Sequence, residues 1–177
     1  HTGAAAWFPL DFRFPLPETH ADCHEGNAMP SHAETRKMPY SARQMYDLVA
    51  DVARYPDFLP WTAAARIRSR TPRPDGSEVM EADLVISFKV FRERFGSRVT
   101  LWPDQGRIDT EYLDGPFRFL KSGWTFRDLP EGGSEVDFHV DFEFRNAILQ
   151  KVIGVVFDEA MRRVVRAFEA RAGALYG

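Results

Sequence analysis

The segment from Glu135 to Arg145 alternates strictly between apolar and charged side chains. One face of the extended chain carries Val136, Phe138, Val140, Phe142 and Phe144, and the other carries Asp137, His139, Asp141 and Glu143. This period of two predicts a β-strand with one buried and one solvated face, as in an antiparallel sheet. We expect the charged residues to form a solvated ladder and His139 to face solvent. The apolar face needs another element to cover it.

Similar extended segments joined by short turns precede this strand. They are Arg66–Thr71, Glu78–Phe88, Phe95–Trp102, Arg107–Leu113 and the strand that carries Trp124 and Phe126. The Asp75-Gly76 pair between the first two is a strong hairpin signal. Six consecutive strands predict one curved antiparallel sheet, and His32–Met38 is a candidate seventh strand.

Two helices are predicted, one near each end of this domain. Ser41 and Gln44 have the spacing of a capping box at the start of the first helix. Pro56 and Pro60 limit the following segment to a single turn. The last helix covers about Ala147–Ala174 and carries an apolar stripe of Leu149, Val152, Val156, Ala160, Val164, Phe168 and Leu175, widened by Ile153, Phe157 and Met161. It is the only predicted element long enough to cover the sheet.

One helix cannot fill a curved sheet of six strands, and a gap lined by aromatic side chains is a ligand cavity. The chain contains 15 Phe, which supplies such a lining. The predicted lining residues are Phe58, Leu59, Trp61, Leu84, Phe88, Tyr112, Trp124, Phe126, Phe138, Val140, Phe142, Phe157 and Met161. Ordinary packed core is the alternative interpretation for each of them.

Residues 1–28 have no helical or strand periodicity, so we expect an irregular N-terminal extension and a domain of residues 29–177. The extension has one Arg against four acidic residues, unlike a mitochondrial transit peptide, and it lacks the basic start and apolar stretch of a secretory signal. Its deletion is expected to leave melting and ligand binding almost unchanged.

Charge and cysteine content exclude several classes of protein. The net charge is −3, and residues 29–177 are formally neutral, whereas dedicated nucleic-acid binders need a basic field. The single cysteine, Cys23, excludes an internal disulfide framework and a multi-cysteine zinc site. His20, His24 and His32 lie in or beside the extension with Cys23, so adventitious metal binding is favoured over a built site. No apolar run is long enough to span a bilayer.

No catalytic constellation stands out, so we expect a protein that is not an enzyme and has no catalytic cofactor or metal. There is no glycine-rich phosphate loop and no Ser-His-Asp order. Two loops, Lys89–Phe95 and Asp114–Leu120, place aromatic side chains among basic ones. They fit either contact with a membrane interface or two well-packed turns.

Several motifs together resemble the coenzyme Q-binding protein family. They are the run Tyr40–Trp61 with its Tyr55-Pro-Asp-Phe-Leu-Pro-Trp61 ending, Asp114-Gly-Pro-Phe117, Trp124-Thr-Phe126 and Val136–Phe144 leading into the last helix. That family belongs to the START-like polyketide cyclase/dehydrase superfamily and overlaps with ribosome-association toxins. The resemblance covers about residues 31–175 and departs at Thr62, where the family often has Cys.

The resemblance implies the α+β helix-grip fold, with six to seven antiparallel strands around a long C-terminal helix in the order β-α-α-β6-α. It implies binding of ubiquinone or a similar isoprenoid lipid in support of respiration. Tyr46, Thr62 and Tyr112 are the candidates for contact with the quinone head. We expect a bacterial protein that is cytoplasmic or peripheral at the inner membrane, with transient membrane contact and no DNA partner. The alternatives are a ribosome-association factor that blocks subunit joining and a polyketide cyclase or aromatase.

Overall fold

The structure is a computed structural model that describes residues 31–88 and 90–177. The elements are β1 (Ser31–Met38), α1 (Ala42–Ala50), a 3₁₀ helix (Val52–Asp57), β2 (Thr62–Pro72), β3 (Glu78–Phe88), β4 (Phe91–Trp102), a 3₁₀ turn (Pro103–Gln105), β5 (Arg107–Asp114), β6 (Phe117–Asp128), β7 (Ser134–Phe144) and α2 (Ala147–Tyr176). This order confirms the predicted α+β arrangement. The predicted extension, with His20, Cys23 and His24, lies outside the described residues.

The seven strands form one antiparallel sheet in the order β1-β7-β6-β5-β4-β3-β2. Short turns place β2 to β7 side by side in chain order, and β1 pairs with β7 at the far edge, Ser31 opposite Asp141. The predicted outward position of His139 is confirmed, since its side chain is exposed. On the same outer face, the Asp137 carboxylate accepts hydrogen bonds from Thr35 at 2.5 Å and Thr125 at 3.3 Å.

Helix α1 begins at the predicted capping box. The Gln44 backbone N–H donates to the Ser41 hydroxyl at 3.1 Å, and the Gln44 side chain accepts from the Ser41 N–H at 2.9 Å. These two bonds satisfy donors that a helix start otherwise leaves free. Met45, Leu48 and Val49 are buried on the inward face of α1, so the helix closes one end of the core.

Helix α2 lies against the concave face of the sheet. The Asn146 side chain accepts hydrogen bonds from the N–H groups of Ile148 and Leu149, which starts the helix as predicted. The predicted apolar position of Leu175 is wrong, because its side chain is 50% exposed. The last turn instead packs through Ala172, which is fully buried, and through Tyr176, whose hydroxyl donates to the Gln44 carbonyl at 3.1 Å.

Four chain connections meet at one end of the sheet. Because neighbouring strands are antiparallel, the β3–β4 turn, the β5–β6 turn and the β7–α2 link share that end. The link from the 3₁₀ helix into β2, residues 58–61, joins them, since Thr62 pairs with Ile86 near the end of β3. We call this the β3–β4 end. No helix in the described part of the chain is long and apolar enough to cross a membrane.

Candidate ligand cavity

A cavity of about 300 Å³ lies between the inner face of the sheet, α2 and the segment from α1 to the start of β2. Its walls are almost entirely aliphatic and aromatic. Nine of the predicted residues line it: Leu59, Trp61, Leu84, Phe88, Trp124, Phe138, Val140, Phe142 and Met161. The volume is at the lower end of the range of about 300–1,000 Å³ for ligand pockets.

Two of the predicted lining residues, Phe58 and Phe126, are not in the cavity wall: Phe126 is buried in the core next to α1, and Phe58 is partly buried and packs against that core. The Phe126 side chain is 5% exposed and meets the Tyr46 ring edge to face, with centroids 5.7 Å apart. The Phe58 ring packs edge to face on Phe168 at 5.3 Å. Both positions are apolar and inward, but other side chains fill the space in front of them.

Two more of the predicted lining residues, Tyr112 and Phe157, are also outside the cavity wall. The Tyr112 hydroxyl accepts a hydrogen bond from the Phe117 N–H at 3.2 Å, so it braces the β5–β6 turn. The Phe157 ring packs between Phe142, at a centroid distance of 5.0 Å, and His32, at 6.3 Å. This packing fills the gap between α2 and the β1 edge of the sheet.

The cavity is closed at one end and open at the β3–β4 end. The closed end is lined by Val49, Val52, Val99 and Ile108, each 5% exposed or less. At the other end the lining includes Glu93, which is exposed. The entrance of the cavity therefore lies among the connections at the β3–β4 end.

The Trp61 residue at this entrance has an unusual backbone. Its φ of 60° is in the left-handed region, and among the described residues it is the only non-glycine with positive φ. The Trp61 carbonyl accepts a hydrogen bond from the Ser87 N–H at 2.8 Å, which fixes the link to the end of β3. Such conformations cost an L-residue free energy and often occur where a protein holds a side chain for function.

Of the three predicted polar contacts, only Thr62 lines the cavity. Its hydroxyl donates to the Pro60 carbonyl at 3.5 Å. The Tyr46 side chain is 5% exposed and lies in the core, where burial raises the pKa of its hydroxyl to about 12. A further tyrosine, Tyr55, presents its ring to the cavity, and its hydroxyl donates to the Val49 carbonyl at 2.5 Å.

Three serine and threonine residues of the lining were not predicted from the sequence: Ser97, Thr110 and Ser122. Each occupies an inward position of a strand whose other inward residues are apolar, as in Phe95, Ser97 and Val99 on β4. A hydroxyl that interrupts the apolar face of a strand is the signal that marks them in the sequence.

The lining contains one carboxylate, the exposed Glu93, and no His, Lys or Arg among the described residues. No group of three or more His, Cys, Asp or Glu in the described ranges is arranged to hold a metal ion. The geometry therefore suits an apolar ligand whose polar part is small.

A sequence profile of the family described as polyketide cyclase / dehydrase and lipid transport matches residues 38–169. The chain belongs to this family. This membership confirms the resemblance drawn from the sequence motifs. A START superfamily protein from Mycobacterium smegmatis has the same fold, with a TM-score of 0.68 over 82% of this chain and 98% of that one at 20% identity. The helix-grip fold is thus confirmed.

Two relatives within the family carry different functional names. The chain is 40% identical over 148 residues to the Ribosome association toxin RatA of Rickettsia prowazekii, covering 81% of this chain and 97% of that protein. It is 31% identical over 156 residues to the Coenzyme Q-binding protein COQ10 homolog B, mitochondrial, of Xenopus laevis, covering 86% of this chain and 62% of that protein.

Proposed function

We propose that this protein binds ubiquinone or a similar isoprenoid lipid in the cavity and carries it in support of respiratory electron transport. The observation that carries this proposal is the apolar cavity enclosed between the sheet and α2. Each CH₂ group that moves from water into such a space gains about 0.8 kcal/mol. The name of the Xenopus laevis relative supports coenzyme Q as the ligand class.

A long isoprenoid tail does not fit completely inside a cavity of about 300 Å³. We expect the part nearest the head group to be enclosed and the distal tail to leave through the β3–β4 end. Trp61, Phe88 and Phe91 line this end and are partly exposed. Their rings provide an apolar path for the tail.

The proposed role is that of a carrier rather than an enzyme. A cyclase or aromatase needs an acid or base positioned at the substrate. The one carboxylate among the lining residues is Glu93 at the entrance, and the Tyr55 hydroxyl is hydrogen-bonded to the Val49 carbonyl. Burial raises the pKa of Tyr55, which keeps this hydroxyl neutral.

Ligand exchange is proposed to occur at the inner face of the bacterial inner membrane, which the protein touches from the cytoplasm. Val90 in the β3–β4 turn is 92% exposed and Ile148 in the first turn of α2 is 70% exposed, both at the β3–β4 end. Arg92 and Lys151 are exposed next to them. Apolar side chains beside cations suit an anionic membrane surface.

Sedimentation with vesicles tests the membrane contact. We expect the protein to bind vesicles that contain an anionic phospholipid more strongly than neutral vesicles. Val90→Glu and Ile148→Glu should each reduce this binding, whereas Leu175→Glu should leave it unchanged, because Leu175 is half-exposed at the opposite end of α2. An equal loss for all three variants would contradict a contact at the β3–β4 end.

Mass spectrometry of organic extracts from the purified protein tests the ligand. We expect an isoprenoid quinone in the extract. As a direct assay, ubiquinone should quench the fluorescence of Trp124, which lines the cavity and lies 4.3 Å from the Phe138 ring centroid. Trp124→Phe should reduce the quenching, and Trp102→Phe is the control, since Trp102 stacks under Arg107 outside the cavity. Extracts that contain no isoprenoid quinone, together with no quenching by ubiquinone, would refute the proposed ligand.

Ribosome association is the second candidate function, and the 40% identity with RatA favours it. Affinity for ribosomal RNA depends on cations that neutralise phosphates. On the outer face of the sheet, however, many arginines are already paired with carboxylates: Arg68 with Asp83, Arg98 with Glu81, Arg107 with Asp109 and Arg127 with Glu135. This pairing weakens the field that RNA would meet.

Co-sedimentation with ribosomal subunits separates the two candidates. We expect no binding of the purified protein to isolated subunits at physiological salt. Stoichiometric binding that falls steeply with salt concentration would place ribosome association first. The lipid extract of the same preparation shows whether the cavity ligand is present in either case.

A further inference from the structure

Three hydroxyl side chains cross the floor of the cavity on adjacent strands. Ser97 lies on β4, Thr110 on β5 and Ser122 on β6, and we call them the hydroxyl strip. Thr110 is directly opposite Ser122, and Ser97 is diagonal to Thr110 because its own partner on β5 is Tyr112. Such positions on one face of a sheet lie about 5–8 Å apart, so one small ring can contact more than one of them.

The hydroxyl strip has unused hydrogen-bonding capacity. None of its three hydroxyls has a side-chain hydrogen-bond partner in residues 31–88 and 90–177, although Ser97 is only 3% exposed. The other hydroxyls of the lining differ, since Tyr55 donates to Val49 and Thr62 donates to Pro60. All three residues line the cavity, so hydroxyls without a partner in the protein are free to form hydrogen bonds to a ligand there.

The hydroxyl strip lies far from the entrance. At about 3.3 Å per residue, Ser97 is about 20 Å along β4 from Phe91 at the β3–β4 end. Val99 lies two residues beyond Ser97 on β4, and Ile108 lies two residues from Thr110 on β5, both on the side away from the entrance. These two side chains close the cavity behind the hydroxyl strip. A ligand that reaches the strip must therefore enter with that end first.

We propose that the hydroxyl strip is the subsite for the polar head of the cavity ligand, which enters head first and leaves its tail towards the entrance. This inference rests on the proposed function, because it assumes that the cavity holds a lipid. Hydroxyls donate hydrogen bonds to carbonyl and ether oxygens. The described lining has no cation to pair with a carboxylate or phosphate. The strip therefore selects an uncharged head rich in acceptor oxygens, such as a quinone ring, over a fatty acid or a phospholipid.

Binding of two probes to the full chain tests this subsite. One probe is a ubiquinone with a short tail, and the other is the hydrocarbon of the same tail without the ring. We expect Ser97→Ala, Thr110→Val and Ser122→Ala each to weaken quinone binding by about twofold to tenfold, the range for loss of one neutral hydrogen bond. Hydrocarbon binding should not change. Thr100→Val is the matched control, because Thr100 is on the outward side of β4 between Val99 and Leu101.

Two further measurements separate a ligand contact from a structural role. Without ligand, the three variants should be about as stable as the parent, because none of the removed hydroxyls has a hydrogen-bond partner in the described part of the protein. In infrared spectra, the carbonyl stretch of the bound quinone should shift back towards its value in apolar solvent in the Thr110→Val variant. A loss of stability with unchanged quinone affinity would overturn the subsite.

The outcomes for the parent protein distinguish the two proposals. If the parent binds both probes and the three variants bind the quinone as well as Thr100→Val does, the head-group subsite is refuted and the carrier proposal stands. If the parent binds the hydrocarbon but not the quinone, the subsite is also refuted. If the parent binds neither probe, the proposed function itself fails and the subsite fails with it.

Discussion

The Trp61 indole and the Phe88 ring meet edge to face at the entrance of the cavity, with centroids 5.7 Å apart. Trp61 precedes the edge strand β2 and Phe88 ends its neighbour β3, so this contact joins these two strands at the point where a tail would leave. The backbone of Trp61 is in the left-handed region, with a φ of 60°. The free-energy cost of that backbone indicates that the position of the ring matters for the entrance.

Two substitutions at Trp61 separate the backbone cost from the role of the ring. Trp61→Ala and Trp61→Gly both remove the indole, so both should retain less lipid. Only glycine adopts the left-handed region freely. The left-handed cost is about 1–2 kcal/mol, and glycine's extra unfolded-state entropy offsets about 0.4–1 kcal/mol of it. We therefore expect Trp61→Gly to be the more stable variant by roughly 0.5–1 kcal/mol in urea denaturation. An alanine variant of equal or higher stability would exclude strain at this position.

Truncation of Phe126 should mainly lower stability, whereas truncation of Phe91 should mainly lower lipid retention. Phe126 is 5% exposed in the packed core, so Phe126→Ala should lower the free energy of unfolding by about 3–5 kcal/mol. Phe91 lines the entrance and is partly exposed, so Phe91→Ala should cost about 1 kcal/mol or less but should lower lipid retention. Denaturant titration and lipid extraction measure the two effects. Equal stability losses would show that the entrance is ordinary core.

The fold could be predicted because several short sequence patterns each indicate the same arrangement of strands and helices. The alternation along β7, the Asp75-Gly76 turn and the Ser41 capping box each specify structure over a few residues, and the observed elements follow them. Leu175 was misassigned because a helical stripe does not show where the covered sheet ends. The left-handed backbone of Trp61 has no signal in the sequence, since it occurs where the link into β2 is held against the end of β3 by the hydrogen bond from Ser87.

The cavity lining was harder to predict than the fold. Alternation shows that a residue such as Phe126 or Phe157 points inward, but it does not show whether another side chain fills the space in front of it. That depends on where α1 and α2 pack. Ser97 and Thr110 illustrate the opposite case, because their hydroxyls occupy inward positions and a pattern of large apolar side chains does not indicate them.

Stability should depend on pH through the Arg68–Asp83 pair on the outer face of the sheet. Arg68 donates two hydrogen bonds to the Asp83 carboxylate, at 2.8 and 2.5 Å, and Arg94 donates a third at 2.5 Å. The Arg68 hydrogen bonds lower the pKa of Asp83 below its ordinary value. Stabilisation by the charged carboxylate is therefore fully present above its unfolded pKa and is lost as pH falls through the lower folded pKa.

Thermal melting of Asp83→Asn at several pH values tests this dependence. We expect Tm to fall by a few degrees at pH 7, and the difference from the parent to narrow below about pH 4, near the ordinary pKa of aspartate. Asp57→Asn is the control, because Asp57 pairs with Arg54 at the exposed end of the 3₁₀ helix. A Tm difference that stays constant down to pH 3 would mean that the Asp83 charge is not the cause.

A charge placed on the inner face of β3 should distinguish the cavity from the core within one strand. Leu84 lines the cavity and is partly exposed, whereas Met80 lies on the same inward face of β3, is fully buried and does not line the cavity. In Leu84→Lys the long side chain can extend its ammonium group through the cavity towards water. In Met80→Lys the charge would be enclosed in packed core, which costs many kcal/mol. We expect Leu84→Lys to be soluble and folded by circular dichroism but to carry little lipid, and Met80→Lys to unfold. If both variants unfold and organic extracts of the parent protein contain no lipid, the residues around Leu84 belong to an ordinary packed core and the carrier proposal is wrong.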